Sequence, residues 1–186
     1  MVESGFALFD TAIGSCAIAW GERGIFGVQL PEADATRTRA RMRRRFPRAR
    51  ETTPPADVQR TIDGIVGLIS GEVVDFSAVA LDMEQLPAFP RRVYEVVRTI
   101  PCGATLTYGE IAKRLGVPAE ARDVGEAMGR NPFPIIVPCH RVLAAGGKLG
   151  GFSAPGGIAT KRRLLAIEGA RASKGPDLFD GMARAD

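Results

Sequence analysis

The apolar positions fall into two regimes. Up to about residue 30 they come in short runs cut by Gly, Ser and Asp: Phe6-Ala7-Leu8-Phe9, Cys16-Ala17-Ile18-Ala19-Trp20 and Ile25-Phe26-Gly27-Val28. Runs of this length between turn formers predict strands. Further on the spacing becomes helical. Val58, Ile62, Ile65, Val66 and Ile69 share one face and predict a helix over 57–69. Phe76 to Leu81 reads as another strand, and 84–89 as a connector. Pro90 can then open a helix. Its stripe is Val93, Val96, Val97 and Ile100, and Pro101-Cys102-Gly103 ends it. The chain therefore divides into an α/β unit at 1–83, the connector, a mostly helical unit at 90–170, and a loose tail at 171–186.

Two short helices stand out in the second unit. Thr107-Tyr108-Gly109-Glu110 matches a capping box, in which hydroxyl and carboxylate satisfy each other's backbone amides. The helix it opens turns Ile111, Ala112 and Leu115 inward, and Gly116-Val117-Pro118 breaks it. A second helix over about 119–129 would bury Ala121, Val124, Gly125 and Met128 and expose Arg122, Asp123 and Glu126. Two helices across such a turn are a helix-turn-helix candidate, although many helix pairs bind nothing.

Charge adds a direction. Residues 1–88 carry 10 basic and 12 acidic side chains, and residues 89–170 carry 12 and 6. The second unit has the sign of a polyanion binder or of an ordinary basic surface. Eight arginines lie between Arg37 and Arg50. That run reads first as a solvated helix face and second as a nucleic-acid contact. No apolar run reaches the ~18 residues of a membrane span, and the first residues lack a secretory pattern. A cytoplasmic protein is expected. Cys16, Cys102 and Cys139 are odd in number and far apart, which argues against a disulfide framework. With His140 as the one histidine and no Cys-x-x-Cys, no metal site is expected. Cys16 and Cys102 read as structural.

The remaining chemistry centres on Pro138-Cys139-His140-Arg141, which follows the apolar run Ile135-Ile136-Val137, read as a short buried strand. A thiol needs a lowered pKa or a base to react at neutral pH. His140 and Arg141 would both favour a thiolate, but adjacent side chains rarely face each other. The dipeptide alone favours an inert cysteine that happens to precede a histidine.

From Thr107 to Gly169 the sequence resembles the O6-alkylguanine-DNA alkyltransferases, or methylated-DNA–protein-cysteine methyltransferases. The matching pieces, in family order, are Thr107 to Ala112, Ala121 to Gly125, Gly129 to Pro132, Ile135 to Val142 with its Pro-Cys-His-Arg, and Leu164 to Gly169. The resemblance implies a small ribonuclease-H-like α/β N-terminal domain and a mostly helical C-terminal domain with a winged helix-turn-helix-like unit. It implies that Cys139 takes an alkyl group from O6-alkylguanine, and from O4-alkylthymine as a second substrate, by in-line displacement. His140 and Glu168 would generate the thiolate through a water. Tyr108 would donate a proton to the leaving base, and Asn131 would brace the turn beneath. Pro138, Val142, Phe152 and Ser153 would form the base pocket.

On the DNA side, Arg122 would fill the gap left by a flipped base. Tyr108 and Arg130 would contact DNA, and small Ala121, Gly125 and Ala127 would allow close approach in the minor groove. The partner implied is double-stranded DNA bound by a monomer with no obligate protein partner and no cofactor. The thioether product would end the protein's activity after one turnover. Three readings compete: a non-catalytic alkyltransferase-like lesion binder, a helix-turn-helix regulator, and a cysteine hydrolase. Two residues depart from the family pattern: Asp123 stands where alanine is usual, and Phe152 where tyrosine is frequent.

Overall fold

The computed structural model describes residues 4–170; the tail expected at 171–186 lies outside them. Strands β1 (Gly5–Thr11), β2 (Gly14–Gly21) and β3 (Gly24–Gln29) form an antiparallel meander. β4 (Arg50–Glu51) joins β1 in parallel, which gives the sheet order β3-β2-β1-β4. Strand alternation sorts β2 onto two cores. Cys16, Ile18 and Trp20 join the large core with Val58, Ile62, Ile65 and Leu68 of α2 (Ala56–Ile69). Ala17 and Ala19 face the other way, with Phe6, onto Met42 of α1 (Ala35–Arg45).

Helix α1 carries most of the arginine run. Asp34 caps it by accepting from the Arg37 amide at 2.8 Å. Arg39 and Arg43 pair with Glu51 at 2.9 and 3.2 Å, and Arg41 with Glu32 at 3.2 Å. Arg45 differs. It turns inward and donates to the Val28 carbonyl at 3.1 Å and to Gln29 Oε1 at 2.8 Å.

The strand expected at 76–81 is absent. Asp75 accepts from the amide and hydroxyl of Ser77, both at 2.8 Å, which turns the chain. The Arg98 guanidinium then collects the carbonyls of Phe76, Ser77 and Val79. One bridge between Leu81 and Ile25 remains.

Helix α3 (Ala88–Arg98) begins two residues before Pro90, which lies in the first turn, where its missing N–H costs nothing. Val93, Tyr94 and Val97 are buried, and the Tyr94 hydroxyl donates to the Ala127 carbonyl at 2.8 Å. The capping box forms as expected. The Glu110 amide donates to Thr107 Oγ1 at 3.2 Å, and the Thr107 amide donates to the Glu110 carboxylate at 2.7 Å. It opens α4 (Tyr108–Arg114), which ends at Gly116 with φ 77°, a value that favours glycine. A 3-10 turn, Pro118–Glu120, leads into α5 (Ala121–Gly129). The buried face of α5 is Val124, Ala127 and Met128. Ala121 and Gly125 are half-buried rather than buried, and Ala127 faces the core rather than solvent.

Two further pieces hold the second unit. β5 (Leu106–Thr107) pairs in parallel with β6 (Val142–Leu143), and α6 (Gly157–Ile167) closes the described chain. The two units share one hydrophobic core, and the Val28 amide donates to the Pro132 carbonyl at 2.8 Å.

Candidate active site

The segment before Cys139 is a braced turn, not a strand. Asn131 Oδ1 accepts from the Phe133 amide at 2.9 Å, and Asn131 Nδ2 donates to the Val137 carbonyl at 2.8 Å. Between these ties Ile135 is held at φ 76°, an outlier for a β-branched residue. Such a residue costs roughly 1–3 kcal/mol and persists where its surroundings over-determine it. Ile135 is 1% exposed, packed on all sides. The apolar run is thus buried without being extended, because the asparagine takes the backbone groups a sheet would use.

Pro138 has φ −77° and ψ 69°, and the Cys139 amide donates to the Val137 carbonyl at 2.8 Å. This is an inverse γ-turn. A 3-10 turn, Cys139–Arg141, follows at once. It places three successive side chains in three settings. Cys139 lines cavities. His140 and Arg141 turn into the protein toward Glu168, the residue that ends α6.

The Glu168 carboxylate is saturated. His140 Nε2 lies 2.8 Å from Oε1, Arg141 Nη2 donates to the same oxygen at 2.8 Å, and Arg141 Nε donates to Oε2 at 2.9 Å. Burial by itself would raise the carboxyl; the hydrogen bonds and charges of His140 and Arg141 outweigh it and hold Glu168 at about 2. Arg141 also donates to the Ile100 carbonyl at 2.6 Å. Its charge is spent on Glu168, not on Cys139 as the sequence suggested.

His140 is fully buried, and burial pushes its pKa down; with Arg141 and Lys161 it outweighs the upward pull of Glu168. A neutral imidazole facing an ionised carboxylate carries its proton on Nε2. Nδ1 then keeps a free lone pair, and it has no hydrogen-bond partner. Burial also raises the Cys139 thiol, against the pull of Asn131 and Lys161. The resting state is therefore a thiol at Cys139 and, at the next residue, a neutral imidazole with one unpartnered nitrogen.

Lys161 completes the site and was not anticipated. It is fully buried on α6 and donates to the Val142 carbonyl. Its Nζ lies 6.0 Å from the centre of the Phe152 ring. Burial lowers its pKa to about 8, while Cys139 pulls it up. A signal existed: Lys161, Leu164, Leu165 and Glu168 share one helical stripe, so a lysine sits where the pattern demands burial.

A cavity of about 420 Å³ opens on Cys139, lined also by Tyr108, Met128, Gly129, Phe152 and Ser153. Burial and the nearby Cys139 raise the Tyr108 phenol, so it is protonated at neutral pH. Ser153 Oγ donates to the Gly129 carbonyl at 2.7 Å, which fixes the wall. Two residues expected in this pocket, Pro138 and Val142, are not among its lining. Pro138 borders a different cavity with Ile100 and Arg141, and the Val142 carbonyl is occupied by Lys161. Arg122 and Asp123 are exposed near the start of α5, and Arg130 pairs with Glu126 at 2.6 Å. Among the described residues no cluster of His, Cys, Asp or Glu could hold a metal ion, and no helix is long and apolar enough to cross a membrane.

Fold and site define an α/β protein with a cysteine lining a cavity walled by a helix pair, next in the chain to a carboxylate-backed histidine. The sequence pattern of the family described as 6-O-methylguanine DNA methyltransferase, DNA binding domain, matches residues 88–170. A methylated-DNA–protein-cysteine methyltransferase of Methanothermobacter thermautotrophicus is 36% identical over 152 residues, 82% of this chain and 78% of the relative. One from Mycobacterium tuberculosis is 45% identical over 129 residues, 69% and 76% of the two chains. The crystal structure of Mycobacterium tuberculosis OGT in complex with DNA superposes with a TM-score of 0.70 at 36% identity, covering 90% of this chain and 96% of that one. The chain belongs to the methylated-DNA–protein-cysteine methyltransferase family.

Proposed function

We propose that this protein repairs DNA by moving an alkyl group from O6-alkylguanine, and from O4-alkylthymine, directly onto Cys139. The observation that carries the reading is the pairing at one cavity of a protonated phenol, Tyr108, with a thiol whose neighbour presents a free imidazole lone pair. The Cys139 proton passes to His140 Nδ1 across a water. Glu168 stabilises the imidazolium that forms. The thiolate attacks the alkyl carbon; the S–C bond forms and the C–O6 bond breaks. The electron pair leaves with the guanine, and Tyr108 protonates the ring as it goes. Lys161 offsets the thiolate charge in the buried site. The product is a thioether that no residue of the site can cleave, so each molecule reacts once. No step requires a cofactor.

A duplex buries the reacting oxygen, so the base must leave the stack to reach the cavity. Arg122 is exposed and makes no ion pair among the described residues, which leaves it free to enter the gap. Ala121 and Gly125 keep the approach low, and Arg130 adds positive charge. Shallow readout of this kind suits the minor groove, where sequence is poorly discriminated. The helix pair with the parallel β5–β6 ladder supports a winged helix-turn-helix-like unit over 90–170. The order β3-β2-β1-β4 with β4 parallel to β1 supports a ribonuclease-H-like unit over 1–83. The protein acts as a monomer in the cytoplasm.

The test is intact mass after incubation with a duplex carrying one O6-methylguanine. The expected result is a gain of one CH2 unit, mapped to Cys139 and absent in Cys139→Ala. A protein that binds the duplex and keeps its mass would overturn the reading in favour of a lesion binder.

A further inference from the structure

A second cavity, about 260 Å³, meets the first at Cys139 and runs toward the N-terminal sheet. Its distinctive walls are Gln29 of β3, Arg41 and Arg45 of α1, and Arg130 and Asn131 beyond α5. Three guanidinium groups and no carboxylate line it. Arg45 is tied by its two bonds to Val28 and Gln29. Arg41 Nε stands 3.2 Å from Glu32 Oε1, yet neither atom makes a hydrogen bond. Burial and the neighbouring Arg41 lower the pKa of Arg45. Arg41 and Arg130 each have one carboxylate at the rim, Glu32 at 3.2 Å and Glu126 at 2.6 Å, while Arg45 has none among the described residues.

The position of this cleft decides what it could take. In the transfer read above, the carbon bonded to O6 comes to Cys139 while the guanine fills the first cavity. Any group carried on that carbon must point out of the guanine cavity. The second cavity is the space continuous with it at Cys139.

We propose that the arginine-lined cleft receives anionic O6 substituents, so that carboxyalkyl lesions are preferred over neutral ones of the same shape. The inference rests on the alkyl-transfer reading. The bonds made and broken are the same: Cys139 Sγ gains the carbon, O6 loses it, and Tyr108 protonates the departing guanine. The carboxylate is unchanged and stays in the cleft as part of the S-carboxyalkyl product.

Single-turnover rates with three duplexes test it: O6-methylguanine, O6-carboxymethylguanine, and O6-carboxamidomethylguanine, which matches the second lesion in shape without its charge. Arg41→Gln and Arg41→Lys are compared with the parent protein; Arg41 is partly exposed, and neither change opens the core. The parent should favour the carboxymethyl over the carboxamidomethyl lesion. Arg41→Gln should cut that ratio about three- to fivefold, the worth of one partly exposed charge pair. It should leave methyl transfer alone, and Arg41→Lys should keep most of the ratio. The ratio should also shrink as salt rises. A ratio unchanged by Arg41→Gln overturns the proposal. So does an equal loss on all three duplexes, which would make the cleft a DNA-backbone contact. Absence of methyl transfer by the parent protein would overturn the alkyl-transfer reading, and this inference with it.

Discussion

Replacing Glu168 with glutamine tests the whole arrangement behind Cys139. The substitution keeps shape and removes charge. The carboxylate accepts three hydrogen bonds at 2.8 to 2.9 Å, and its side chain is 1% exposed. A glutamine has one carbonyl oxygen and would turn its NH2 toward a donor. The carboxyl sits at about 2 against an ordinary 4.5. At ~1.4 kcal/mol per unit this contributes about 3 kcal/mol to stability at neutral pH. The sign follows from the depressed value. The contribution is complete above the unfolded pKa of 4.5 and fades as pH falls toward 2. The variant also strands Arg141, whose side chain is 6% exposed, and a broken buried pair costs on the order of 3–5 kcal/mol. Glu168→Gln should therefore lower the unfolding free energy by about 3–5 kcal/mol at neutral pH, or the melting temperature by roughly 10 °C. Urea titrations across pH should show the gap to the parent narrowing below pH 4.5. Methyl transfer, measured well below both melting points, should slow by about 100-fold or more, because the imidazolium loses its counter-charge. A stability loss under about 1 kcal/mol, or a gap independent of pH, would refute the reasoning.

Two further outcomes are expected. Lys161→Met should lower the transfer rate and abolish a decline in rate above about pH 8, where Lys161 loses its proton; a decline that survives in the variant would assign it to another group. Asp123→Ala should tighten duplex binding up to about fivefold at low salt by removing a carboxylate beside Arg122, and should cost the helix about 0.3–1 kcal/mol. Fluorescence anisotropy at two salt concentrations checks this, and equal affinities at low salt would place the carboxylate away from DNA.

Asp123 illustrates how far the sequence reaches. As a departure from a family pattern it has no evident purpose. In the fold it occupies the first turn of α5, whose N-cap, Glu120, makes no side-chain capping bond. A carboxylate there favours the helix dipole. The capping box at Thr107 and the strand β2 were legible because each is set by residues a few positions apart. The runs at 76–81 and 135–137 misled for one reason. An apolar run reports burial, and burial is equally satisfied by a turn whose carbonyls bond Arg98 or by one braced with Asn131. Arg45 was invisible within its basic run because seven similar neighbours face out or pair across the surface. Arg141 was assigned to the thiol by adjacency, whereas its partner lies 27 positions away.

The three thiols show what kind of reactivity this fold selects. Burial raises all of them, Cys16 to about 12, and Cys102 and Cys139 in the same direction. A depressed pKa therefore does not single out Cys139. What distinguishes it is its place in the cavity that Tyr108 also lines, next in the chain to a neutral, carboxylate-backed His140. A thiol that stays protonated reacts slowly with small electrophiles in solution, since the thiolate is the nucleophile. In the transfer proposed above it becomes reactive once a substrate fills the cavity, aligns the carbon and offers a leaving group for Tyr108 to protonate. For an acceptor consumed by its own product this is the useful arrangement: every molecule lost to a stray electrophile is lost to repair. The strain at Ile135 and the buried charge of Lys161 both lower stability near Cys139, and the fold retains both. Lys161 bonds the Val142 carbonyl just past the Cys139–Arg141 turn, and in the proposed transfer its cation would offset the thiolate that forms.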